Sequence, residues 1–242
     1  MYRFLVRPRW IGFHLLCVAG IVGMAFLSAW QFHRLDQRRE FNSEVRGRST
    51  LEAVDVASLD DSDPESLSWR AATVTGSYLP EEQILVLNRS QGGRAGVNVV
   101  TPLVLDDGRA IAINRGFIAL DDTPPAAPAG RVTVGGILRA TEKRRGGQAR
   151  EAEGELTEMF RLDLDRLAEQ MQPDLMRVAL LEQVSSPADD PRLEPVPLPE
   201  LSEGPHLSYA IQWIIFAVCV AVGWVLAVRR SIRTRVRSTP SA

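Results

Sequence analysis

The sequence predicts a membrane protein in which two transmembrane helices flank an extracytoplasmic α+β domain dominated by an antiparallel β-sheet or small barrel. Two stretches, 11–30 and 206–228, are apolar, contain no acidic or basic residue apart from histidine, and are long enough to span a bilayer. Between them, short runs rich in Val, Ile and Leu alternate with turn signals of Gly, Pro and Asp. Short strands with short connections favour an antiparallel sheet that is open or closed into a barrel.

The head of the second apolar stretch carries the main candidate site. Its sequence HLSYAIQW places His206, Tyr209 and Trp213 at i, i+3 and i+7, which share one face of a helix. A candidate ligand, His206, would then lie at the membrane surface. His206 could equally be a polar residue that reaches toward water, and the two aromatic residues could be interfacial anchors or packing residues.

The first apolar stretch is interpreted as a retained helix rather than a signal peptide. It is longer than a signal core, and no clear small-x-small cleavage site follows it. Trp30 is a natural interfacial anchor, and helical spacing continues through Arg34 and Leu35. Residues 31–68 are therefore predicted to be a helix extension and then a mobile acidic segment, with one short helix over Ala53–Leu59.

The charge distribution predicts the orientation in the membrane. All 30 acidic residues lie between the two apolar stretches, whereas eight of the 28 basic residues lie outside them, in segments 1–10 and 229–242. The central loop therefore carries about ten net negative charges. The positive-inside rule predicts that both termini are cytoplasmic and that the loop is outside. An acidic loop also argues against nucleic acid as a partner.

Nothing in the loop has the pattern of a catalytic site. Both cysteines, Cys17 and Cys219, lie in the apolar stretches, so no disulfide framework and no CxxC motif is available. The three histidines lie in or near the membrane, and no Gly-rich phosphate motif precedes a helix. We expect no catalytic turnover. These patterns are also compatible with an envelope protein that carries a sensing or scaffold domain on a two-helix anchor.

Residues 69–184 are predicted to form the β-rich domain. The Asp107-Gly108 pair between two apolar runs is a hairpin signal, and Asp163 is a candidate cap for a helix over Asp163–Met171. Lys143–Gly154 is a charged, Gly-rich excursion, and 185–205 is predicted to be a Pro-rich tether. The predicted strands are Trp69–Tyr78, Gln83–Asn88, Val97–Leu105, Arg109–Leu120, Arg131–Ala140, Met159–Leu162 and Arg177–Val184.

Three motifs follow one another along the chain. WQFHR ends the first apolar stretch, with Trp30, Gln31 and Arg34 in a Trp-Gln-x-x-Arg pattern, and HLSYAIQW opens the second with His-x-x-Tyr-Ala-x-x-Trp. The central block carries a Gly-x-x-Val-x-Thr-Pro-Leu strand and a hairpin that ends in Asn-Arg-Gly-aromatic. Its matching residues are Gly96, Val99, Thr101, Pro102, Leu103, Gly108, Asn114, Arg115, Gly116 and Phe117. In order and spacing, these motifs resemble the Surfeit locus 1 family of cytochrome oxidase assembly proteins.

The resemblance spans nearly the whole chain but has departures. Ser28-Ala29 replace the Gly that commonly precedes the family's Trp-Gln, and Phe117 replaces the usual Trp. The similarity thins across Ser49–Ser68 and Lys143–Pro199. These departures suggest a divergent branch of the family.

The resemblance implies a factor that helps mature the haem-copper oxidase of aerobic respiration. Some bacterial members bind haem a through the histidine that corresponds to His206, and imidazole is a common axial ligand of haem iron. The implied partners are the catalytic subunit of aa3-type cytochrome c oxidase, a haem a synthase and the lipid membrane. The alternative is a scaffold or accessory subunit that binds no haem. The lack of an Arg/Ser-rich transit peptide favours a bacterial cell membrane.

Further candidates surround this proposed haem site. Tyr209 and Trp213 would form a wall for the macrocycle, and Arg34 would pair with a propionate or act as an interfacial anchor. His33 is expected at a similar depth to His206 and is a candidate second axial ligand. Candidate docking residues for the oxidase are Trp30, Gln31, Asn114, Arg115 and Gly116. For the last three the alternative is a structural role, with Gly116 in a backbone bend and Arg115 in an ion pair.

Overall fold

The chain folds into two compact units, seen in a computed structural model that describes residues 3–60, 63–143, 146–147, 151, 153–184 and 190–237. One unit combines Met1–Glu44 with Glu200–Ala242, and we call it the helical unit. The other, Val45–Pro199, contains the strands, and we call it the β domain. The helices are α1 (Pro8–Ser49), α2 (Pro64–Leu67), α3 (Leu164–Ala168) and α4 (His206–Arg237).

Helices α1 and α4 are candidate membrane spans, since both are long and apolar enough to cross a bilayer. No residue in the most apolar window of α4 is buried by the chain itself, unlike the core helix of a soluble protein. Large apolar side chains such as Leu16, Phe26 and Leu226 are more than half exposed. A continuous apolar surface of this kind is expected to contact lipid. Helix α1 also continues past Trp30 to Ser49, which confirms the predicted helix extension.

Five strands of the β domain form a closed ring, which confirms the predicted small barrel. Strand β2 pairs with β6, β6 with β8, β8 with β5, β5 with β4, and β4 again with β2. Of these pairs only β5–β8 is parallel, and β3 continues the sheet beyond β4. The strands are β1 (Val54–Asp55), β2 (Ala71–Tyr78), β3 (Ile84–Gln91), β4 (Arg94–Val104), β5 (Ala110–Ala119), β6 (Arg131–Ala140), β7 (Glu158–Met159) and β8 (Leu175–Val184).

Aliphatic side chains from all five strands fill the ring. Ile111 and Ile113 of β5 belong to this inner core, whereas the alternate residues Ala110 and Ala112 belong to a second cluster with Leu167 of α3. The small alanines leave room for the helix on the outer face. Strands β4 and β5 are thus covered on both faces, which explains why their sequences are continuous apolar runs rather than alternating ones.

Closure of the ring depends on a close approach between β2 and β4. Ser77 and Tyr78 pair with Val104 and Leu103 at this junction. A Cβ atom built on Gly76 would lie 2.2 Å from the carbonyl oxygen of Val104 and 2.5 Å from a methyl carbon of Leu103. Glycine is therefore required here by the close contact of two strands.

Substitution Gly76→Ala is expected to destabilise the β domain by about 1–3 kcal/mol, because the added methyl group must push β2 away from β4. The midpoint of chemical unfolding, followed by near-ultraviolet circular dichroism of the full chain in detergent, measures this loss. The matched control is Gly135→Ala in β6, where a Cβ atom would meet nothing within 4 Å. Equal losses for both variants would show that the contact with Val104 is not the cause.

Some predictions of local structure were wrong. The segment predicted as a helix, Ala53–Leu59, contains strand β1 and a 3-10 turn, Val56–Ser58, which Asp55 caps through a hydrogen bond to the Ala57 N–H. The strand predicted over Met159–Leu162 is also different: the observed strand, β7, consists of only two residues, Glu158 and Met159. Asp163 caps α3 as predicted, accepting from the Arg166 N–H at 3.2 Å. Parts of the predicted excursion and tether, 144–145, 148–150, 152 and 185–189, lie outside the described residues.

Candidate functional site

Polar contacts join α1 to α4, and to the residues just before α4, at several levels of the helical unit. Arg39 forms a two-point ion pair with Glu203, with both nitrogen-to-oxygen distances at 3.0 Å. The other three are His206 Nδ1 to Gln31 Oε1 at 2.8 Å, Ser28 Oγ to the Ala210 carbonyl oxygen at 3.1 Å, and Trp224 Nε1 to His14 Nδ1 at 2.7 Å. Partner positions fall along α1 as they rise along α4, so the two helices are antiparallel.

The spacing of these contacts matches a bilayer. Seventeen residues separate His14 from Gln31, and eighteen separate His206 from Trp224. At 1.5 Å per residue this interval is about 26 Å, close to the hydrocarbon thickness of about 30 Å. The His206–Gln31 contact therefore marks one edge of the apolar segment and the His14–Trp224 contact the other.

The contact with Gln31 determines the tautomer of His206. A carboxamide oxygen can only accept a hydrogen bond, so the Nδ1 nitrogen of His206 carries the proton and donates to Gln31 Oε1. The Nε2 nitrogen is then an acceptor with a free lone pair, and no hydrogen bond to it occurs within the part of the chain that the structure describes. Metal-binding histidines commonly have this arrangement, in which the second nitrogen donates to an oxygen.

The chain just before α4 keeps the ring of His206 open on one side. His206 is the first residue of the helix and is partly exposed, and the Tyr209 N–H begins the helical hydrogen bonds by donating to the Pro205 carbonyl oxygen. Gly204 has a φ of +67°, in the left-handed region that favours glycine. A Cβ atom on Gly204 would lie 3.6 Å from His206 Nε2, so glycine leaves that nitrogen accessible.

Tyr209 and Trp213, which were predicted to form an aromatic wall, follow His206 within the first two turns of α4. Tyr209 is 48 % exposed, and Trp213 is half-buried and meets Phe216 edge-on with ring centroids 6.0 Å apart. Ala210 lies between them in sequence and is fully buried where Ser28 donates to its carbonyl oxygen. The small side chains of Ser28 and Ala210 allow the helices to approach closely. Ser28-Ala29, which replace the Gly common in the family, therefore keep small residues at this position.

His33 lies on the wrong face of α1 to share a ligand with His206. It is two residues after Gln31, which is a rotation of about 200° around a helix. Its side chain is exposed, and its Nε2 accepts from Gln37 Nε2 at 3.0 Å. A similar depth in the membrane is not enough to bring His33 close to His206. Gln31 faces His206, and the side chain of His33, two residues later, points to the opposite side of α1. Arg34 lies one turn beyond Gln31 on α1. It is exposed and donates to Gln37 Oε1 at 2.8 Å.

The Asn-Arg-Gly motif is part of the fold rather than an exposed docking surface. In the pairing of β4 with β5, Val99 is opposite Gly116 and Val100 is opposite Asn114, so Arg115 is the extra residue of a β-bulge. Arg115 is only 3 % exposed. Its guanidinium donates to Gln83 Oε1 and to the carbonyl oxygens of Pro125 and Ala126, at 3.0 to 3.1 Å.

The bulge also attaches the segment 193–199, which we call the strap. Phe117 and Glu194 exchange two backbone hydrogen bonds, at 2.7 and 2.9 Å. Gly116 has a φ of +137°, and a Cβ atom there would lie 2.6 Å from the Glu194 carbonyl oxygen, so only glycine fits beneath the strap. Asn114, Arg115 and Gly116 are all buried, which leaves them no exposed surface for docking a protein. Of the predicted docking residues, Trp30 is exposed, whereas Gln31 is the partner of His206.

A sequence model of the SURF1 family matches residues 18–218. This is the Surfeit locus 1 family that the three motifs resemble. The chain belongs to the SURF1 family. The match begins within α1, includes the whole β domain and ends within α4, so it contains all three motifs.

Two bacterial relatives match most of the chain, and a yeast relative matches part of it. An uncharacterised SURF1-like protein of Mycobacterium tuberculosis is 28% identical over 243 residues, which cover 97% of this chain and 89% of the relative. A SURF1-like protein of Rickettsia bellii is 24% identical over 233 residues, covering 90% of this chain and 91% of the relative. The cytochrome oxidase assembly protein SHY1 of Saccharomyces cerevisiae is 28% identical over 102 residues, covering 41% of this chain and 26% of the yeast protein.

Nitrogen NMR tests the tautomer of His206. With nitrogen-15-labelled histidine and the full chain in detergent, at a pH where the imidazole is neutral, we expect the Nδ1–H form. Substitution Gln31→Leu removes the acceptor, so the ring should shift toward the Nε2–H form that free imidazoles prefer in water. Gln37→Leu is the matched control, because Gln37 contacts His33 instead. A His206 spectrum that is unchanged in Gln31→Leu would contradict the assignment.

Proposed function

We propose that this chain is an assembly factor for the haem-copper cytochrome c oxidase. Two findings support the proposal: membership of the SURF1 family, and similarity to a yeast protein whose name is cytochrome oxidase assembly protein. The proposed role is that of a chaperone without catalytic turnover, which acts on the catalytic subunit of an aa3-type oxidase.

We further propose that the chain holds haem a at His206 until it is transferred to the oxidase. The hydrogen bond from His206 Nδ1 to Gln31 carries this proposal, because it orients the ring and leaves the Nε2 nitrogen available as a ligand. Among the described residues no three His, Cys, Asp or Glu side chains form a group that could hold a bare metal ion. A single imidazole therefore fits a metal that arrives in its own macrocycle, as haem iron does.

Neighbouring residues suit such a cargo. Tyr209 and Trp213 follow His206 at i+3 and i+7 and offer aromatic surface at the edge of the apolar segment. Arg34, one turn beyond Gln31 and exposed, would pair with a propionate. When bound, haem would supply an iron centre that accepts one nitrogen ligand from the protein. The roles of this chain are to present that nitrogen, to orient its ring through Gln31, and to shelter the apolar part of the cargo beside lipid.

The orientation follows from the charges. The only charged residues before the first apolar stretch, 11–30, and after the second, 206–228, are basic, so the positive-inside rule would place both termini in the cytoplasm of a bacterial cell. His206 and the β domain would then be on the outer side of the cell membrane. A haem a synthase would supply the haem within the same membrane, and the oxidase would receive it there.

A second candidate function is a scaffold or accessory subunit that binds no haem. The observation that favours it is that Gln31, Ser28 and His14 all contact α4, so the His206–Gln31 bond could serve only to pair the two helices. Both functions predict a loss of oxidase activity when the gene is deleted. They differ in whether the purified protein carries haem.

An absorption spectrum of the detergent-purified full chain, co-expressed with haem a synthesis, tests the haem proposal. We expect a haem a band in the wild type that is lost in His206→Ala. Gln31→Leu should keep the band but bind haem about 10–100-fold more weakly, because the ligand loses its orienting partner. Gln37→Leu is the matched control, and His33→Ala should also keep the band, since His33 faces away from His206.

The variants also separate the two functions. A folded wild type without a haem band would overturn the haem role while leaving oxidase assembly intact. If His206→Ala then restored oxidase activity to a deletion strain as well as the wild type does, the chain would be a scaffold. Retention of the band in His206→Ala would assign the ligand to another residue.

A further inference from the structure

A cleft of about 330 Å³ lies in the β domain between the strap and residues of β3, β4, β5 and β6. We call it the strap cleft. One wall is Val196–Pro199 of the strap, and the others come from the sheet and from Leu162. Glu194 holds the strap through its backbone bonds to Phe117 and an ion pair with Arg94, which holds the pKa of the Glu194 carboxyl below its usual range. The cleft lies wholly within the β domain.

Two buried amides line the cleft. Asn98 and Asn114 are 7 % and 5 % exposed, and they lie on the adjacent strands β4 and β5. Asn114 Oδ1 accepts from the Gly116 N–H at 3.2 Å, which leaves its NH₂ group as a donor toward the cleft. The Asn98 side chain has no hydrogen bond to any other described residue. Buried amide groups without partners cost stability, and such groups in a cleft are suited to bind a ligand.

A cation that forms no ion pair with the described residues lies beside these amides. Arg139 is half-buried over the ring of Trp69, with its guanidinium carbon 3.5 Å from the ring centroid. Its Nη1 atom is fully buried and forms no hydrogen bond with the described residues. The neighbouring carboxylate, Glu142, is bonded twice by Arg89, at 2.9 and 2.7 Å, so it is already paired. Burial lowers the pKa of the Arg139 guanidinium, as expected for a charge that lacks full solvation and a direct counterion.

The backbone holds Trp69 in place under Arg139. Trp69 has a φ of +73°, a left-handed conformation that is unfavourable for a large side chain. A hydrogen bond of 2.8 Å from its N–H to the Leu138 carbonyl oxygen maintains this conformation next to β6. Strained residues that the surrounding structure maintains are often found at binding sites.

Apart from Ser90 and Gln91, the rest of the lining is apolar. It includes the aromatic ring of Phe117, and aliphatic or proline side chains from the strap, β3 and the segment before α3. These residues are Val86, Leu162, Val196, Pro197, Leu198 and Pro199. A ligand of the strap cleft would therefore carry one anionic group beside a larger apolar body.

We propose that the strap cleft binds a small apolar carboxylate. The carboxylate would accept hydrogen bonds from Arg139 and from the amides of Asn98 and Asn114, and the apolar body would pack between Phe117 and the strap. A single negative charge fits best, because Glu142 neutralises Arg89 and leaves Arg139 as the one cation of the described lining that has no ion pair. The site does not depend on haem binding, and its test is independent of the proposed function.

Fluorine NMR of the full chain in detergent tests this site with a fluorinated naphthoate as the probe. The uncharged naphthamide of the same shape is the ligand control, and protein-free micelles give the background. We expect saturable binding of the naphthoate, and binding of the naphthamide that is at least about tenfold weaker, because the amide lacks the charge that Arg139 would bind.

Two arginine variants on β6 locate the binding. Arg139→Gln should weaken naphthoate binding at least about tenfold while leaving the affinity for naphthamide almost unchanged. Arg131→Gln is the matched control, since Arg131 is on the same strand, is exposed and pairs with Asp106 outside the cleft. The proposal is overturned if naphthoate does not bind above the micelle background, if naphthamide binds equally well, or if Arg131→Gln weakens binding as much as Arg139→Gln. The ligand comparison remains decisive even if Arg139→Gln fails to fold.

Discussion

Polar side chains within the two apolar helices form hydrogen bonds with groups on the other helix, and these bonds determine how α1 pairs with α4. A histidine, glutamine or serine in hydrocarbon costs free energy unless it finds a partner on a neighbouring helix. Here Gln31 meets His206, Ser28 meets the Ala210 carbonyl oxygen, and Trp224 meets His14. These contacts set the antiparallel register of the helices. The same register leaves Nε2 of His206 at the edge of the apolar segment, which is the basis of the proposed haem role.

The β domain obeys a different constraint, the close approach of its strands. Gly76 is needed where β2 closes the barrel on β4, and Gly116 is needed where the strap crosses β5. Between these points the bulge at Arg115 turns a charged side chain into the interior, where carbonyl oxygens and an amide oxygen accept its hydrogen bonds. Residues that look like a recognition motif in the sequence thus build the barrel and attach the strap that forms one wall of the cleft.

Sequence reasoning was most accurate where a single periodicity decides the outcome. The helix extension beyond Trp30, the strand over Arg131–Ala140 and the cap at Asp163 all depend on local pattern, and all are present. It was wrong over Ala53–Leu59, because a short apolar segment takes its structure from the strand it pairs with. It also missed the Trp69–Arg139 pair, whose members are 70 residues apart and belong to no motif.

The sequence by itself determined the two apolar helices, the β-rich character of the domain between them, the family, and His206 as the leading candidate ligand. These follow from hydropathy, alternation and short motifs, which are properties of neighbouring residues. Only the tertiary structure decided that Gln31 orients His206, that His33 faces away, that Arg115 is buried, and that the strap encloses a cleft beside Arg139. Each of these depends on which face of one element meets another, and that choice is made by packing and hydrogen bonding between segments that are distant in the sequence.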